Sequence, residues 1–212
     1  MTESSIGLIL RTRPLTDTSL IIHWLTPEFG RLATVAKGAR RSKSPFAGKL
    51  DLFYLADFSF QRSRRSELHQ LREVGLRETH TAIRQELESL QQASYCAALI
   101  EQTTELETPI PEIFTLATAC LKHLCQQPAQ PQTMFAFEIK LLSELGLQPD
   151  LEKEKLNPDL KQILRILLVS EWSALPRLKL TAAQIKGLRQ YLQGFLLHHL
   201  GKVPHTRSRM DT

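Results

Sequence analysis

A cation-rich segment, residues 30–50, carries the clearest chemical signal in this sequence. Its six lysine and arginine side chains are accompanied by no aspartate or glutamate. These cations are Arg31, Lys37, Arg40, Arg41, Lys43 and Lys49. Small residues separate the cations, and Pro45 prevents one continuous helix from running through the segment. Cations on such a loop can face solvent together, and a polyanion is the ligand that suits them.

A second basic group, Arg62, Arg64 and Arg65, follows at what we predict to be the tip of a hairpin. Residues 30–65 carry a net charge of +7, whereas the whole chain of 212 residues carries +5. This concentration favours phosphate contacts with a nucleic acid over the alternative, a solvated basic loop that serves solubility. The predicted contacts are Lys37, Arg40, Arg41 and Lys43, extended by Arg31, Lys49, Arg62, Arg64, Arg65, Arg11 and Arg13.

The elements that must position these cations read as strands. Five short segments of β-type residues precede residue 75, at 6–13, 19–26, 31–36, 50–61 and 67–74. The fourth shows the longest period-two alternation of apolar and polar side chains. Five strands with a long loop between the third and the fourth are typical of a small Greek-key barrel of the OB type. An open sheet packed on helices would give a similar sequence, and we favour the barrel.

Phe46 is the aromatic residue of the cation-rich segment, and its role has two interpretations. Stacked on a base, it would contribute roughly 1–3 kcal/mol to binding. Packed inward, it would anchor the loop on the barrel. We assign the aromatic residues of the strands to the barrel core rather than to a stacking platform; they are Trp24, Phe53, Phe58 and Phe60.

The hydrophobic period becomes helical after residue 78. The predicted helices span 79–105, 112–125, 134–145, 159–171 and 182–200. Thr181 and Gln184 form a capping box for the last helix, and Gly201 ends it. The sequence therefore predicts an α+β protein. Residues 1–78 form an N-terminal five-stranded OB-type β-barrel, and residues 79–212 form an all-α helical domain with a short loop at about 148–158.

Composition and motifs restrict the function classes. No run of about 18 apolar residues exists, so we predict no membrane span and no membrane partner. No basic stretch precedes the first apolar residues, so we expect no secretion signal, and the three cysteines then suggest a reducing, cytoplasmic setting. The sequence shows no glycine-rich phosphate loop, nucleophile elbow or acidic two-metal cluster, so we predict no catalytic residue and no enzyme.

Residues 19–53 present a specific order of residue types, S-L-x-x-x-x-L-T, then G-R, then V-A-K-G-A-R-R-x-K-S, then L and F. In this order the sequence resembles the RecO family of bacterial recombination mediators. The resemblance implies an OB barrel, a helical domain, binding of single- and double-stranded DNA, and annealing of complementary strands. It also implies action with RecR, and in some species RecF, in loading RecA onto strands coated by single-strand-binding protein.

The resemblance further implies binding of the acidic, hydrophobic C-terminal tail of single-strand-binding protein. Such a tail needs an apolar pocket with a basic rim. By residue type, the candidates in the helical domain are Phe135, Phe137, Lys140 and Arg165. The alternative is that these phenylalanines are core residues at helical spacing.

One departure from the family concerns metal. Many similar proteins carry a four-cysteine zinc site in the helical domain, but residues 148–160, at the corresponding place, contain no cysteine. Cys120, His123 and Cys125 do not converge on one helix face at roughly 100° per residue. We therefore predict no metal and no other cofactor.

Two other function classes fit the same sequence pattern. An RNA-binding OB-fold protein would share the barrel and the basic loop. A non-enzymatic scaffold subunit would use that loop to dock on an acidic protein face. A hydrolytic enzyme is disfavoured, because no pairing of nucleophile with base is visible in the sequence.

Overall fold

The structure of the protein, a computed structural model, describes residues 2–204 and residue 207. The chain forms two compact units. The first contains the residues up to Thr81 together with Thr104–Thr118, and the second contains Ala82–Thr103 and the residues from Ala119 onward. The predicted division at residue 78 included no returning segment, so the structure adds Thr104–Thr118 to the barrel unit.

The first unit is built on five strands that close into a barrel. The strands are β1 (Thr2–Pro14), β2 (Leu20–Thr26), β3 (Gly30–Ala36), β4 (Leu55–Gln61) and β5 (Leu68–Glu78). Their order is β1-β2-β3-β5-β4, and β4 pairs with β1 to close the barrel. Neighbouring strands are antiparallel except β3 and β5, which are parallel. The predicted OB-type barrel is confirmed, and the open-sheet alternative is wrong.

Alternating side chains of the strands fill the barrel interior, because successive residues of a strand point to opposite faces. The Trp24 ring stacks on the Phe58 ring with 4.1 Å between centroids, and the indole N–H donates to Thr34 Oγ1 over 2.8 Å. Gly7 faces this pair, where a Cβ atom would lie 2.6 Å from the Phe58 ring. The four aromatic residues assigned to the core, Trp24, Phe53, Phe58 and Phe60, are all buried.

The fourth strand is shorter than its alternating pattern predicts, because β4 begins at Leu55 rather than at residue 50. Phe53 has a φ of 65°, and its N–H donates to the Ile9 carbonyl over 2.9 Å, so the chain turns there before joining the sheet. Phe46 belongs to the barrel core and is 7% exposed. The structure therefore supports the loop-anchor interpretation of Phe46 and not base stacking.

In the described part of the chain, five α-helices follow the barrel: α1 (Leu87–Thr103), α2 (Pro111–Gln126), α3 (Pro131–Glu144), α4 (Pro158–Val169) and α5 (Ala182–Leu200). The predicted helix over residues 79–105 is wrong at its start, where the chain forms a 3-10 helix, Thr81–Arg84. His80 precedes it with a left-handed φ of 47°, which a regular helix does not accommodate. Within residues 2–204, no helix has the length and apolar character needed to cross a bilayer.

The second unit contains an apolar core formed by α3, α4 and α5. Its buried members include Phe135, Ile139, Leu164, Leu188 and Leu192. The predicted capping box is confirmed, because the Thr181 hydroxyl accepts from the Gln184 N–H while the Gln184 side chain accepts from the Thr181 N–H. Gly201 ends α5 with a φ of 70°, as its position predicts.

A buried ion pair also lies in the second unit. Arg207 Nε donates to Glu138 Oε1 over 2.9 Å, and Arg207 Nη2 donates to Oε2 over 3.0 Å. The Tyr95 hydroxyl donates to the same Oε1 over 2.6 Å. Burial, together with the charge of Glu138, raises the pKa of Tyr95. Glu138 of α3 thereby joins α1 to residue 207.

Candidate nucleic-acid interface

The strand directions place the two basic groups at opposite ends of the barrel. Residues 37–54, the basic loop, follow β3, and residues 62–67, the basic tip, follow β4. Because β5 runs parallel to β3 and antiparallel to β4, the loop and the tip leave the barrel at opposite ends. The seven residues of β3 separate the ends by about 20 Å. The cations therefore form two groups rather than one continuous track.

The basic loop is folded into consecutive turns. Arg41 N donates to Gly38 O, and Ser44 N donates to Arg41 O, each over 3.1 Å. Gly38 has a φ of 70°, and Phe46 anchors the later part of the loop in the barrel core. Of the predicted contacts, Lys37, Arg40, Arg41 and Lys43 are exposed and Lys49 is half-buried. The backbone thus fixes the loop while its exposed cations face solvent, and Arg40 Nη1 also donates to the Thr16 carbonyl over 3.3 Å.

Arg11 and Arg13 lie on the outer surface of β1, beside His23 of β2. Both arginines are exposed, and Arg11 is paired with His23 in the antiparallel ladder. Burial, together with the charges of Arg11, Arg13 and Arg31, lowers the pKa of His23 to about 4. His23 is therefore neutral near pH 7, and the positive charge of this surface comes from its arginines. Arg13 lies at the end of the barrel from which the basic loop leaves, because its neighbour Pro14 pairs with Leu20 of β2 and Leu20 pairs with Ala36, the last residue of β3.

The basic tip is an ordered turn that presents Arg64 and Arg65 to solvent. The Ser63 hydroxyl accepts from the N–H groups of Arg65 and Ser66, each over 3.2 Å. A serine that accepts from amides two and three residues ahead closes a local turn. Hydrogen bonds to Ser63 therefore fix the backbone from which the Arg64 and Arg65 side chains extend.

Arg31 and Arg62, two predicted contacts, have partners inside the first unit. Arg31 Nε donates to Thr104 Oγ1 over 2.7 Å, and its Nη2 donates to the Thr104 carbonyl. Arg62 donates to Glu3 over 2.8 Å and to Glu107, and it holds the pKa of the Glu3 carboxyl below its usual value. Because these guanidinium groups are already engaged, we do not include them among the proposed DNA contacts.

Two of the four residues predicted to form a peptide pocket lie in the core of the second unit. Phe135 and Phe137 are 3% and 0% exposed, so the core interpretation is correct for both. Lys140 Nζ donates to the Leu168 carbonyl over 2.6 Å, and burial lowers its pKa. Arg165 is exposed but is paired with Glu152. The prediction is wrong for the two phenylalanines, because helical spacing marks an apolar residue without telling whether it faces a core or a groove.

The cysteines lie in the second unit. Cys96 Sγ and Cys120 Sγ are 3.8 Å apart and both residues are buried, whereas Cys125 is half-buried. His123 is buried and its ring lies against Trp172. In the part of the chain that the structure describes, no group of three or more His, Cys, Asp or Glu side chains could hold a metal ion. The metal-free helical domain remains a prediction.

Sequence reasoning missed the segment 104–108, which belongs to the barrel unit. Leu106 forms a parallel bridge with Arg31, and the Glu107 N–H donates to the Arg31 carbonyl over 2.7 Å. The Glu107 carboxylate contacts Arg62 and His69. The break after α1 was visible in the sequence as the T-P-I-P motif at 108–111, but nothing local indicated where the chain returns.

Comparisons with known proteins agree with this architecture. The family model for the N-terminal domain of recombination protein O matches residues 1–80, and the model for its C-terminal domain matches residues 84–155. A protein named DNA repair protein RecO from Bacillus pumilus is 31% identical over 153 residues, which are 72% of this chain and 59% of that protein. Another of that name, from Rhodopirellula baltica, is 31% identical over 144 residues, 68% of this chain and 53% of that protein.

A third protein of that name, from Syntrophus aciditrophicus, is 29% identical over 170 residues, 78% of this chain and 66% of that protein. The chain thus spans less than two thirds of the length of these relatives. The two matching models describe consecutive domains of one family and together cover well over half of the chain. With the OB-type barrel and the helices that follow it, the chain belongs to the RecO family.

Proposed function

We propose that this protein binds the phosphate backbone of single- and double-stranded DNA and acts in DNA repair and homologous recombination. The observation that carries the proposal is a row of exposed cations on the basic loop. Consecutive turns and the buried Phe46 hold the backbone of this loop in place. The relatives named DNA repair protein RecO support the same role. The proposed contacts are Lys37, Arg40, Arg41, Lys43, Lys49, Arg11, Arg13, Arg64 and Arg65.

Annealing of complementary strands is the activity that this arrangement suits best. Two polyanionic strands repel each other, and lysine and arginine side chains offset that repulsion by replacing condensed counterions. Contacts to phosphate position a strand without reading its sequence. Because the basic loop and the basic tip lie at opposite ends of the barrel, they can hold separate stretches of backbone. None of this requires a bond to be made or broken, so we propose a non-enzymatic role.

The family resemblance extends the proposal to partners. We propose that the protein helps to load RecA onto strands coated by single-strand-binding protein, together with RecR and, in species that use it, RecF. It would also bind the C-terminal tail of single-strand-binding protein. No residues are assigned to that tail, because Phe135 and Phe137 are buried.

The test replaces Arg40, Arg41 and Lys43 together by alanine. The variant should anneal complementary oligonucleotides coated with the cognate single-strand-binding protein more slowly than the wild type. Its affinity for bare single strands should fall alike for all sequences, and the slope of log K against log salt should decrease by about 2, since each lost phosphate contact removes about 0.7. Fluorescence-monitored annealing and anisotropy titrations measure these effects.

A matched control removes the same charge from the second unit by replacing the exposed Lys155, Lys179 and Lys186 with alanine. An equal loss in both triple variants would mean that net charge, not the basic loop, determines binding. Competition with RNA of equal length distinguishes the RNA-binding alternative. Persistence of partner capture after nuclease treatment, without any DNA affinity, would instead indicate a scaffold subunit.

A further inference from the structure

The start of β3 has a partner that is distant in sequence. β5 pairs with β3 at Ala33, Thr34 and Val35, so the first residues of β3 extend beyond the β5 ladder. Segment 104–108 lies beside them, through the Leu106 bridge to Arg31. The approach is close, because a Cβ atom on Gly30 would lie 2.1 Å from the Thr108 carbonyl oxygen. Segment 104–108 therefore completes the barrel edge next to the basic tip.

Glu107 connects this segment to both sides of the tip. Its carboxylate accepts from Arg62, the first residue of the tip, and lies 2.8 Å from Nε2 of His69, just beyond it in β5. His69 is 2% exposed, and its Nδ1 accepts from the Ser63 N–H over 3.2 Å. Because Nδ1 accepts, the proton of the neutral ring is on Nε2, which donates to Glu107. The Glu107 carboxylate thus fixes the orientation of the ring that holds Ser63.

Ser63 in turn closes the turn that presents the tip arginines. Its hydroxyl accepts from the Arg65 and Ser66 amides, and the Ser66 hydroxyl donates to the Leu68 carbonyl over 3.2 Å. The bonds run without interruption from Glu107 through His69 and Ser63 to the backbone of Arg65. Glu107 itself is exposed to solvent on one side, with 39% of its side-chain area accessible.

We propose that Glu107 is a positioning residue for DNA: it orders the basic tip so that Arg64 and Arg65 meet a phosphate backbone. This inference rests on the proposed function, in which the basic tip binds DNA. Positioning and charge predict opposite changes in DNA affinity when Glu107 is removed. Removing an acid near a polyanion site should strengthen binding if charge alone acts, whereas loss of positioning weakens it.

The experiment compares five variants of the full chain: Glu107→Ala, Glu107→Gln, Glu105→Ala, the double variant Arg64→Ala/Arg65→Ala, and that double variant combined with Glu107→Ala. Glu105 is an exposed acid in the same connection and is the matched control for charge. Affinity for a single-stranded oligonucleotide is measured by anisotropy. Hydrogen exchange, followed by mass spectrometry on the free protein, reports the order of residues 62–69, and residues 20–36 report the integrity of the barrel.

Glu107→Ala should weaken DNA binding about three- to tenfold, whereas Glu105→Ala should leave it unchanged or slightly stronger. Glu107→Gln has the same charge as the alanine variant but can still accept from His69, so it should recover part of the affinity. Exchange at residues 62–69 should accelerate in Glu107→Ala while residues 20–36 stay protected. Combined with the arginine double variant, Glu107→Ala should produce no further loss of affinity.

Unchanged exchange at residues 62–69 in Glu107→Ala would overturn the positioning role, whatever the DNA data show. A further loss of affinity in the combined variant would also overturn it, because the effect would then not pass through the tip. If exchange accelerates but the arginine double variant binds DNA normally, the ordering by Glu107 is upheld and the proposed role of the tip in DNA binding is refuted. The two failures are therefore distinguishable.

Discussion

Each of the two units uses a carboxylate to hold a distant part of the chain, and the two carboxylates lie at different depths. In the barrel unit, Glu107 binds Arg62 and His69 with 39% of its side chain exposed. In the helical unit, Glu138 binds Arg207 with side-chain exposures of 1% and 8%. In both units an arginine and a glutamate that are far apart in sequence form an ion pair.

Their energetic consequences differ because water reaches one of them. Exposed ion pairs contribute little to stability, since solvent already satisfies both charges. Removal of one partner from a buried pair leaves an uncompensated charge that water cannot reach. We therefore expect the Glu138 pair to determine whether its unit folds, and the Glu107 network to determine where the basic tip lies.

The largest expected effect is that of Arg207→Ala. It should lower the free energy of unfolding of the helical unit by about 3–5 kcal/mol, because Glu138 is then buried without its partner. Glu107→Ala should lower that of the barrel unit by about 1–2 kcal/mol, because Arg62 stays partly solvated while the buried His69 Nε2–H loses its acceptor. Trp24 lies in the barrel unit and Trp172 in the helical unit, so urea unfolding of single-tryptophan backgrounds reads each transition separately.

Replacing Glu138 and Arg207 together by leucine is the control for this comparison. The double variant should regain much of the stability lost in Arg207→Ala, because no buried charge remains. Equal losses for Arg207→Ala and Glu107→Ala would show that depth does not separate the two networks.

Two glycine substitutions test how firmly segment 104–108 is held. Gly30 and Gly48 both have left-handed backbones, with φ of 63° and 72°. Gly48→Ala meets open space and should cost about 1–2 kcal/mol from backbone strain alone. Gly30→Ala should cost about 3 kcal/mol or more, because its Cβ also clashes with the Thr108 carbonyl. Urea unfolding followed by Trp24 fluorescence measures both losses of unfolding free energy. Equal losses would mean that segment 104–108 moves away from residue 30 without loss of stability.

A smaller effect should appear in the pH dependence of the barrel unit. The pKa of His23 is lowered to about 4 by burial and by Arg11, Arg13 and Arg31, whereas an unfolded histidine titrates near about 6.5. As pH falls from about 6.5 to 4, the unfolded state therefore binds a proton that the native state does not, and stability declines. Above about pH 6.5 the histidine is neutral in both states, so this loss of stability is absent.

His23→Gln removes the titrating side chain and with it this part of the pH dependence. The difference in unfolding free energy between wild type and variant should therefore change between pH 7 and pH 4.5. The measurement is urea unfolding at a series of pH values, again with Trp24 as the probe. Solvent on the open side of His23 screens the arginines and reduces the effect. A difference that stays constant across this range would contradict the depressed pKa.

The features that sequence analysis found are those with local signals. Five short segments of β-type residues, the period-two alternation of the fourth and the long loop before it predicted the barrel, because each of these signals lies in neighbouring residues of the chain. Arg31 and Arg62 were grouped with the DNA contacts because their partners, Thr104 and Glu107, are 73 and 45 residues away. No periodicity reveals such a pairing. Phe135 illustrates the second limit, since an apolar helical residue fits a core and a groove equally well.

The smallest expected effect, none at all, concerns metal in the helical unit. Cys96 Sγ and Cys120 Sγ are 3.8 Å apart, the separation of two sulfur ligands on a tetrahedral zinc ion with bonds of about 2.3 Å. Two ligands do not close a tetrahedron, and among residues 2–204 and 207 no group of three potential ligands exists. Burial also raises the pKa of the Cys96 thiol, whereas zinc requires the thiolate. Protein purified without a metal-binding tag should therefore contain well under one zinc per chain by elemental analysis, and a chelator should leave unfolding reported by Trp172 unchanged. Stoichiometric zinc that is lost, together with stability, in Cys96→Ser would show that these two sulfurs are ligands rather than core residues.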